Sequence, residues 1–268
     1  MKPILFPALG LLMACHLTAA EPEWKKELSP PAPGPWPALP SSTLDLQLSW
    51  NGMLDAGKLR IEFAPEDAKK PGVLVVRSSA ASTGPAAALF PYQSHFWSEL
   101  DPASLRPRYF HAVETGHRET VTTTTRHFAD RVEAVEITKA LHKKTDPERN
   151  ERVFHHSPVF DMFSAMLQVR GHKLETGDSI SFVIQPFDSP YLLRVRVIGR
   201  EIHCGRNTIK LSVGMRKIDR KTLELRPYKK MKRDATLWLS DDKDRIPVEL
   251  RAAVFIGDIR AVLTEFRK

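Results

Sequence analysis

Residues 44–63 read LDLQLSWNGMLDAGKLRIEF. Leu44, Leu46, Leu48 and Trp50 alternate with Asp45, Gln47 and Ser49. After the interruption NGMLDAG, Leu59, Ile61 and Phe63 alternate with Lys58, Arg60 and Glu62. Successive side chains of an extended chain point to opposite faces, so this pattern makes one face to bury and one for water. Two such runs around Asn and Gly predict antiparallel strands joined by a turn or bulge.

The same period continues outward. Strands are expected at 72–78, 95–100, 109–114, 119–128, 131–138, 179–185, 191–202 and 208–213. The run VTTTT at 121–125 is β-branched, which suits a pleated, half-buried surface. Near the end, Leu237 and Leu239 are followed by Ile246, Val248, Leu250, Ala252, Val254 and Ile256, then by Ile259, Ala261 and Leu263. A sheet of roughly ten strands curls or closes to hide its edges. The fold class expected is mainly β: a curved antiparallel sheet, barrel-like or partly closed.

One segment breaks the alternation. SPVFDMFSAMLQVRG at 157–171 predicts a short helix near 158–170, with Ser157 and Pro158 at its start and Gly171 at its stop. Phe160, Phe163 and Leu167 share one stripe; Val159, Met162 and Met166 share another. A helix apolar on more than one side belongs in the interior, plugging the sheet. DPERNER (146–152) and PYKKMKRD (227–234) read as exposed loops.

The chain begins MKPILFPALGLLMACHLTAAEPEW. One lysine, an apolar stretch and the small residues Thr18-Ala19-Ala20 form the pattern of a secretory signal over residues 1–20. A competing reading takes Leu12-Met13-Ala14-Cys15 as a lipobox, with Cys15 the lipidated residue. Both readings export the chain to the periplasm, the second with a membrane anchor. Residues 21–43 are proline-rich, including SPPAPGPWPALP at 29–40, and read as an extended linker ahead of one β domain at 44–268. Without the leader only Cys204 remains, so no internal disulfide is available. Cys204 reads as a small buried hydrophobe, and His203 beside it should face the opposite way.

Between the last strands lies WLSDDKDRIPVEL, residues 238–250, with three aspartates in a short span. Ser and Asp favour chain reversals because their side chains bond nearby backbone N–H groups. Pro247 suits a strand start. Adjacent carboxylates on a solvated turn stay ionised and lack the burial that would tune one as an acid. The stretch therefore reads as a turn with surface ion pairs, Arg245 taking one partner role.

WLSDDKDRIPVEL followed by FIGDIRAVL resembles the C-terminal signature of the bacterial exported family known as domain of unknown function 3108. LSWNGMLDAGKLRIEF resembles its first strand pair, carrying Trp50, Gly52, Ala56 and Gly57. ASLRPRYFHAVETG follows, with Leu105 and Pro107, and then DMFSAMLQVRGHKLETGDSISF with Asp161, Ser164, Arg170, Gly177 and Asp178. At the end stand Trp238, Asp241, Asp242, Pro247 and Gly257. The resemblance runs roughly over residues 44–266; Met166 and Gln168 occupy helix positions where aromatic residues are expected. It implies an envelope-facing β domain and no known reaction, so these are structural positions.

No Gly-x-Ser-x-Gly elbow, His-Glu-x-x-His helix, phosphate loop or dinucleotide fingerprint is present in the sequence. No catalytic residue, cofactor or metal-ligand set is assigned; the His155-His156 pair falls short of the three or four ligands zinc needs. The net charge of +8 favours anionic partners, and export excludes nucleic acid. The expectation is a non-catalytic envelope protein that binds a lipid or another apolar or anionic component, as carrier, chaperone or assembly factor. Phe160, Phe163 and Met166 are its candidate apolar contacts, and Lys229, Lys230 and Arg233 its anionic ones. One rival is a structural module for a protein partner. The other is an enzyme on an envelope polymer, which requires two or more of Asp161, His155, His156, Asp178 and Arg170 to converge in a cleft.

Overall fold

A computed structural model describes residues 21–31, 39–64, 72–254 and 257–268. The expected leader, with Cys15, and most of the proline run lie outside them. The strands are β1 (Ser42–Trp50), β2 (Leu54–Ala64), β3 (Leu74–Ser82), β4 (Gln93–Leu100), β5 (Pro107–Thr115), β6 (Glu119–His127), β7 (Val132–Ala140) and β8 (Glu148–Phe154). Then come β9 (Ser179–Ile184), β10 (Tyr191–His203), β11 (Arg206–Ile218), β12 (Leu225–Pro227), β13 (Ala235–Ser240), β14 (Pro247–Val254) and β15 (Gly257–Arg267). They form one antiparallel sheet in the order β8-β7-β6-β5-β4-β3-β2-β1-β15-β14-β13-β11-β10-β9, with β12 beside β11. The path does not close: β8 and β9 are its two free ends.

Alternation sets the faces. Leu44, Leu46, Ile61, Phe63, Leu74, Val76, Leu100, Phe110, Ala112 and Ala261 point into one buried cluster, together with Phe163 and Leu167 of helix α2 (Met162–Gly171). Ala165 and Val169 of the same helix join a second cluster with Phe182, Leu193, Val195, Ile209, Leu211 and Leu239. The helix thus serves both halves of the sheet from inside, and eight of its ten residues are buried.

The helix begins later than the sequence predicts. The helix does not start before Phe160, because Phe160 pairs with the free edge of β9, its N–H donating to Val183 and its carbonyl accepting from Gln185. Asp161 is then the N-cap, accepting from the Ser164 N–H at 2.7 Å. A short carboxylate side chain at this position satisfies a helix N–H that has no partner within the helix.

Three further expectations change. DPERNER is not a loop: Glu148–Phe154 is edge strand β8, where charged side chains discourage pairing with another chain. A second helix, α1 (Gly84–Leu89), lies between β3 and β4. Part of the expected linker is docked on the sheet. Glu23–Glu27 forms a 3₁₀ turn, and Trp24, 4% exposed, packs with Val132, Phe154, Val159, Val183, Leu192 and Ile218. The Trp24 indole N–H donates to the Leu223 carbonyl at 2.8 Å, and Ser29 bonds Ser181. Trp24 thereby seals the seam between β7–β8 and β9–β10, burying apolar surface that the open sheet would otherwise expose.

The family positions have structural reasons. Asn51 and Gly52, both with positive φ, form the β1–β2 turn. Gly57 sits where a Cβ would lie 2.4 Å from the Ala81 carbonyl oxygen, so β2 and β3 approach only without a side chain there. Gly257, at φ +132°, leaves room for the Trp50 indole, whose Nε1 would be 2.3 Å from a Cβ.

Candidate functional site: the open inner face

The inner face is not covered evenly. Gly57, Leu48, Ala261, Leu250, Leu237 and Leu211 form one row of directly opposed residues across six strands. Opposed residues in antiparallel strands share a face, and Leu211 and Ala261 are core residues. Leu250 is nevertheless 39% exposed, and Leu48 and Leu237 are only half-buried. Leu59, Phe96 and Leu263 on the strands, and Met162 and Met166 on α2, border the core in the same half-buried state. Met162 and Met166 are four residues apart, so they present one helical stripe. The core is thus bordered, beside α2, by a strip of half-buried apolar side chains, the furrow.

The far wall is polar. Glu136 lies in the row Phe96–Ala112–Thr123–Glu136, on the inner face of β7. Burial, reinforced by the charge of Asp188, pushes its carboxyl above the usual range. Arg152 pairs with both Glu136 and Asp188, which ties edge strand β8 to the β9–β10 connection.

The loops at the end of the sheet marked by Trp50, Gly257 and Ala235 form a rim. Met53, Leu54, Leu89, Phe90 and Tyr92 expose large apolar side chains there, Phe90 at 65%. Lys229, Lys230, Lys232 and Arg233 are exposed on the β12–β13 connection, where Met231 bridges Val254 and the Lys232 N–H donates to the Ala253 carbonyl.

These placements sort the candidate residues. Phe160 (0% exposed) and Phe163 (4%) are core residues and not contact surface, because α2 is packed from both sides. Met166 borders the furrow, and Lys229, Lys230 and Arg233 lie on its rim. Asp161 is fully buried. The Ser98 hydroxyl donates to it, and burial pushes its carboxyl above the usual range against the hydrogen bonds from Ser98 and Ser164.

Asp178 accepts from the Glu175 N–H in an exposed turn. His155 is exposed, while the His156 ring packs against Trp24 and Phe154 and burial pushes its pKa down to about 4. Arg170 lies at the other end of α2, donating to the Asp244 carbonyl at 2.8 and 3.1 Å. The groups of the enzyme reading thus lie in separate settings: the buried N-cap of α2, its opposite end, an exposed turn and the Trp24 seam.

The stretch 238–250 is a chain reversal, as its composition predicts. Asp242 accepts from the Ser240 hydroxyl and from the N–H groups of Asp244 and Arg245 at 2.8–3.0 Å. Arg245, however, is no surface partner. Its side chain is buried, and its guanidinium donates to the carbonyls of Arg170, His172 and Lys173 at the C-terminal end of α2. Those carbonyls have no partner within the helix.

Sequence reasoning also missed a cluster on the outer face. Cys204 is exposed, and with Gly205 it forms the two-residue β10–β11 turn, both at positive φ. Alternation stops at such a turn, so Cys204 and His203 reach the same carboxylate, Glu249. Trp238 is buried on this outer face beneath the His203 ring.

The fold and site define an open, barrel-like antiparallel β protein with a helix in its interior. The sequence matches the family described as "Protein of unknown function (DUF3108)" over residues 45–264, and the chain belongs to that family. Among solved structures it is similar to a β-barrel-like protein of domain of unknown function DUF1849 from Brucella abortus. That likeness has a TM-score of 0.51 and 11% identity, covering 85% of this chain and 97% of the other. A putative exported protein with a YmcC-like fold from Bacteroides fragilis aligns at TM-score 0.29 and 6% identity, covering 87% and 98%. No curated protein matches the sequence. Among the described residues no helix is long and apolar enough to cross a membrane.

Proposed function

We propose that the protein is a non-catalytic component of the cell envelope that holds a lipid acyl chain, or a similar apolar chain, along its inner face. The observation that carries this reading is Leu250: it stands in one row with the core residues Leu211 and Ala261 yet keeps 39% of its surface exposed. Exposed apolar surface in line with the core, with the adaptable Met162 and Met166 half-buried at the core's edge, suits an apolar ligand. The lysines and arginine at 229–233 supply the complement for an anionic head group at the rim. The export pattern at residues 1–20 supplies the compartment.

Native mass spectrometry before and after organic extraction, with displacement of a fluorescent fatty acid, tests the reading. A bound lipid that is lost on extraction, and probe binding that falls at least tenfold in Leu250→Arg and Met166→Arg, are expected. Absence of lipid together with probe binding indifferent to both substitutions overturns it. Intact mass of the purified protein also reports whether the chain is cut after Ala20 or acylated at Cys15.

A second reading rests on a different observation. Leu89, Phe90 and Met53 are exposed beyond what the furrow needs, which favours a protein partner docked on the rim. Site-specific photocrosslinking from position 90 in intact cells separates the two: a single protein adduct supports the partner, and lipid adducts support the carrier.

A further inference from the structure

The inner-face reading leaves the outer-face cluster of β10, β13 and β14 unused. Nε2 of His203 lies 2.6 Å from Oε2 of Glu249, and Sγ of Cys204 lies 3.9 Å from the same oxygen. The nitrogen, sulfur and oxygen all fall within 4.8 Å of one another. The other carboxylate oxygen, Oε1, is held by Arg251 at 2.8 and 3.0 Å, which aims Oε2 at the nitrogen and the sulfur. The His203 ring is fixed by stacking on Trp238, centroids 4.1 Å apart and planes 10° apart; the Trp238 indole N–H donates to Glu201 at 2.7 Å. A buried carboxylate, an oriented imidazole and a solvent-reached thiol, each steered by a further contact, form the arrangement of a metal site with its supporting shell.

We propose that His203, Cys204 and Glu249 bind a divalent transition-metal ion, Zn²⁺ by the chemistry of the donors, with three protein ligands and the fourth position open to solvent. Thiolate and imidazole together favour zinc and disfavour calcium and magnesium, which take oxygen. Zinc bonds of about 2.0–2.3 Å in a tetrahedron set neighbouring donors roughly 3.3–3.6 Å apart. The histidine–glutamate pair must therefore open by less than ~1 Å and the cysteine–glutamate pair close by about half that, adjustments that side-chain rotation at a hairpin tip supplies. Binding exchanges the Cys204 S–H proton for the S–metal bond and releases that proton to solvent. This inference is independent of the lipid reading, and either can fail alone.

The test uses the purified mature protein stripped with chelator and titrated with Co²⁺, then Zn²⁺. Expected are one equivalent of Co²⁺ with a thiolate-to-cobalt charge-transfer band, bleaching of that band by Zn²⁺, and protection of Cys204 from alkylation by Zn²⁺. Cys204→Ser should abolish the band, and its exposed turn position keeps the fold intact, checked by thermal melting. His203→Ala and Glu249→Gln should each weaken Co²⁺ binding at least tenfold. Absence of the band, its survival in Cys204→Ser, or indifference to both His203→Ala and Glu249→Gln overturns the proposal and leaves an ion-paired carboxylate beside a thiol.

Discussion

Replacing Arg245 with alanine tests whether 238–250 is a structural reversal or a reactive one. The Arg245 side chain is buried and donates to three carbonyls at the end of α2, 3.0 Å to Arg170, 2.7 Å to Lys173 and a close contact to His172. A hydrogen bond to a charged group contributes about 1.5–3 kcal/mol, and acceptors left buried without a donor cost their desolvation. Three such bonds sum to more than ~4 kcal/mol, and partial solvation of the vacated carbonyls returns some of it, so about 3–5 kcal/mol is expected. In a chain of this size each kcal/mol lowers the melting temperature by about 2–4 °C, which puts the variant on the order of 10 °C below wild type.

Arg245→Lys, with a single ammonium in place of the planar fork, should lose roughly half as much. Asp241→Ala is the control. Asp241 makes an exposed pair with Arg200 at 2.9 Å, worth about 0–1 kcal/mol. Urea denaturation and calorimetry measure all three. If Arg245→Ala melts within 2 °C of wild type, or no lower than Asp241→Ala, the account of the helix end is wrong (that threshold being about the effect of a ~1 kcal/mol change).

Other perturbations have equally definite outcomes. Asp161→Asn keeps an N-cap acceptor and removes a buried ionisable group, so stability should hold or rise, whereas Asp161→Ala should cost about 1–3 kcal/mol by urea titration. Burial depresses His127 and His156 to about 4, below their ordinary 6.5. Above pH 6.5 both are neutral folded and unfolded. As pH falls from 6.5 towards 4 the unfolded chain takes protons the folded one refuses, so stability should drop, by on the order of 3 kcal/mol for buried His127 and less for the partly exposed His156. His127→Phe with His156→Phe should flatten that slope. Trp24→Ala should release residues 21–31 from the seam, seen as faster proteolysis there before global unfolding, because the segment's docking rests on that side chain.

The faces of the strands were legible because they are local: Leu44, Leu46, Leu48 against Asp45, Gln47, Ser49 already says which side is buried. The helix was legible as an interior element from its two apolar stripes. What could not be read depends on which distant segment arrives. The start of α2 is set by the edge of β9, which pairs with Phe160 first. Trp24 sits among prolines and charges, and only the seam makes it core. Glu148–Phe154 looks like a loop because an edge strand leaves its charges in water. Cys204 joined His203 because alternation, the tool that worked elsewhere, ends where φ turns positive. Arg245 looked like a surface cation because nothing in its neighbourhood announces the end of a helix 75 residues away.

The two ends of α2 explain why a furrow remains beside it. At one end Asp161 caps the helix and takes a hydrogen bond from Ser98 on β4, while Phe160 pairs with β9. At the other, the Arg170 side chain donates to the Asp244 carbonyl and the Arg245 side chain to the carbonyls of Arg170, His172 and Lys173. Gln168 adds a bond to the Ser104 carbonyl at 2.7 Å. A helix held by polar contacts at both ends cannot slide or tilt to cover more of the sheet, and its small inward residues Ser164 and Ala165 let it sit close to the strands. Leu48, Leu59, Met162 and Met166 then stay half-buried at the edge of the core. Burying that surface is worth about 25 cal/mol per Å², so the polar fixation of α2 forgoes stability the fold could have had. An apolar chain entering beside the methionines recovers it as binding energy.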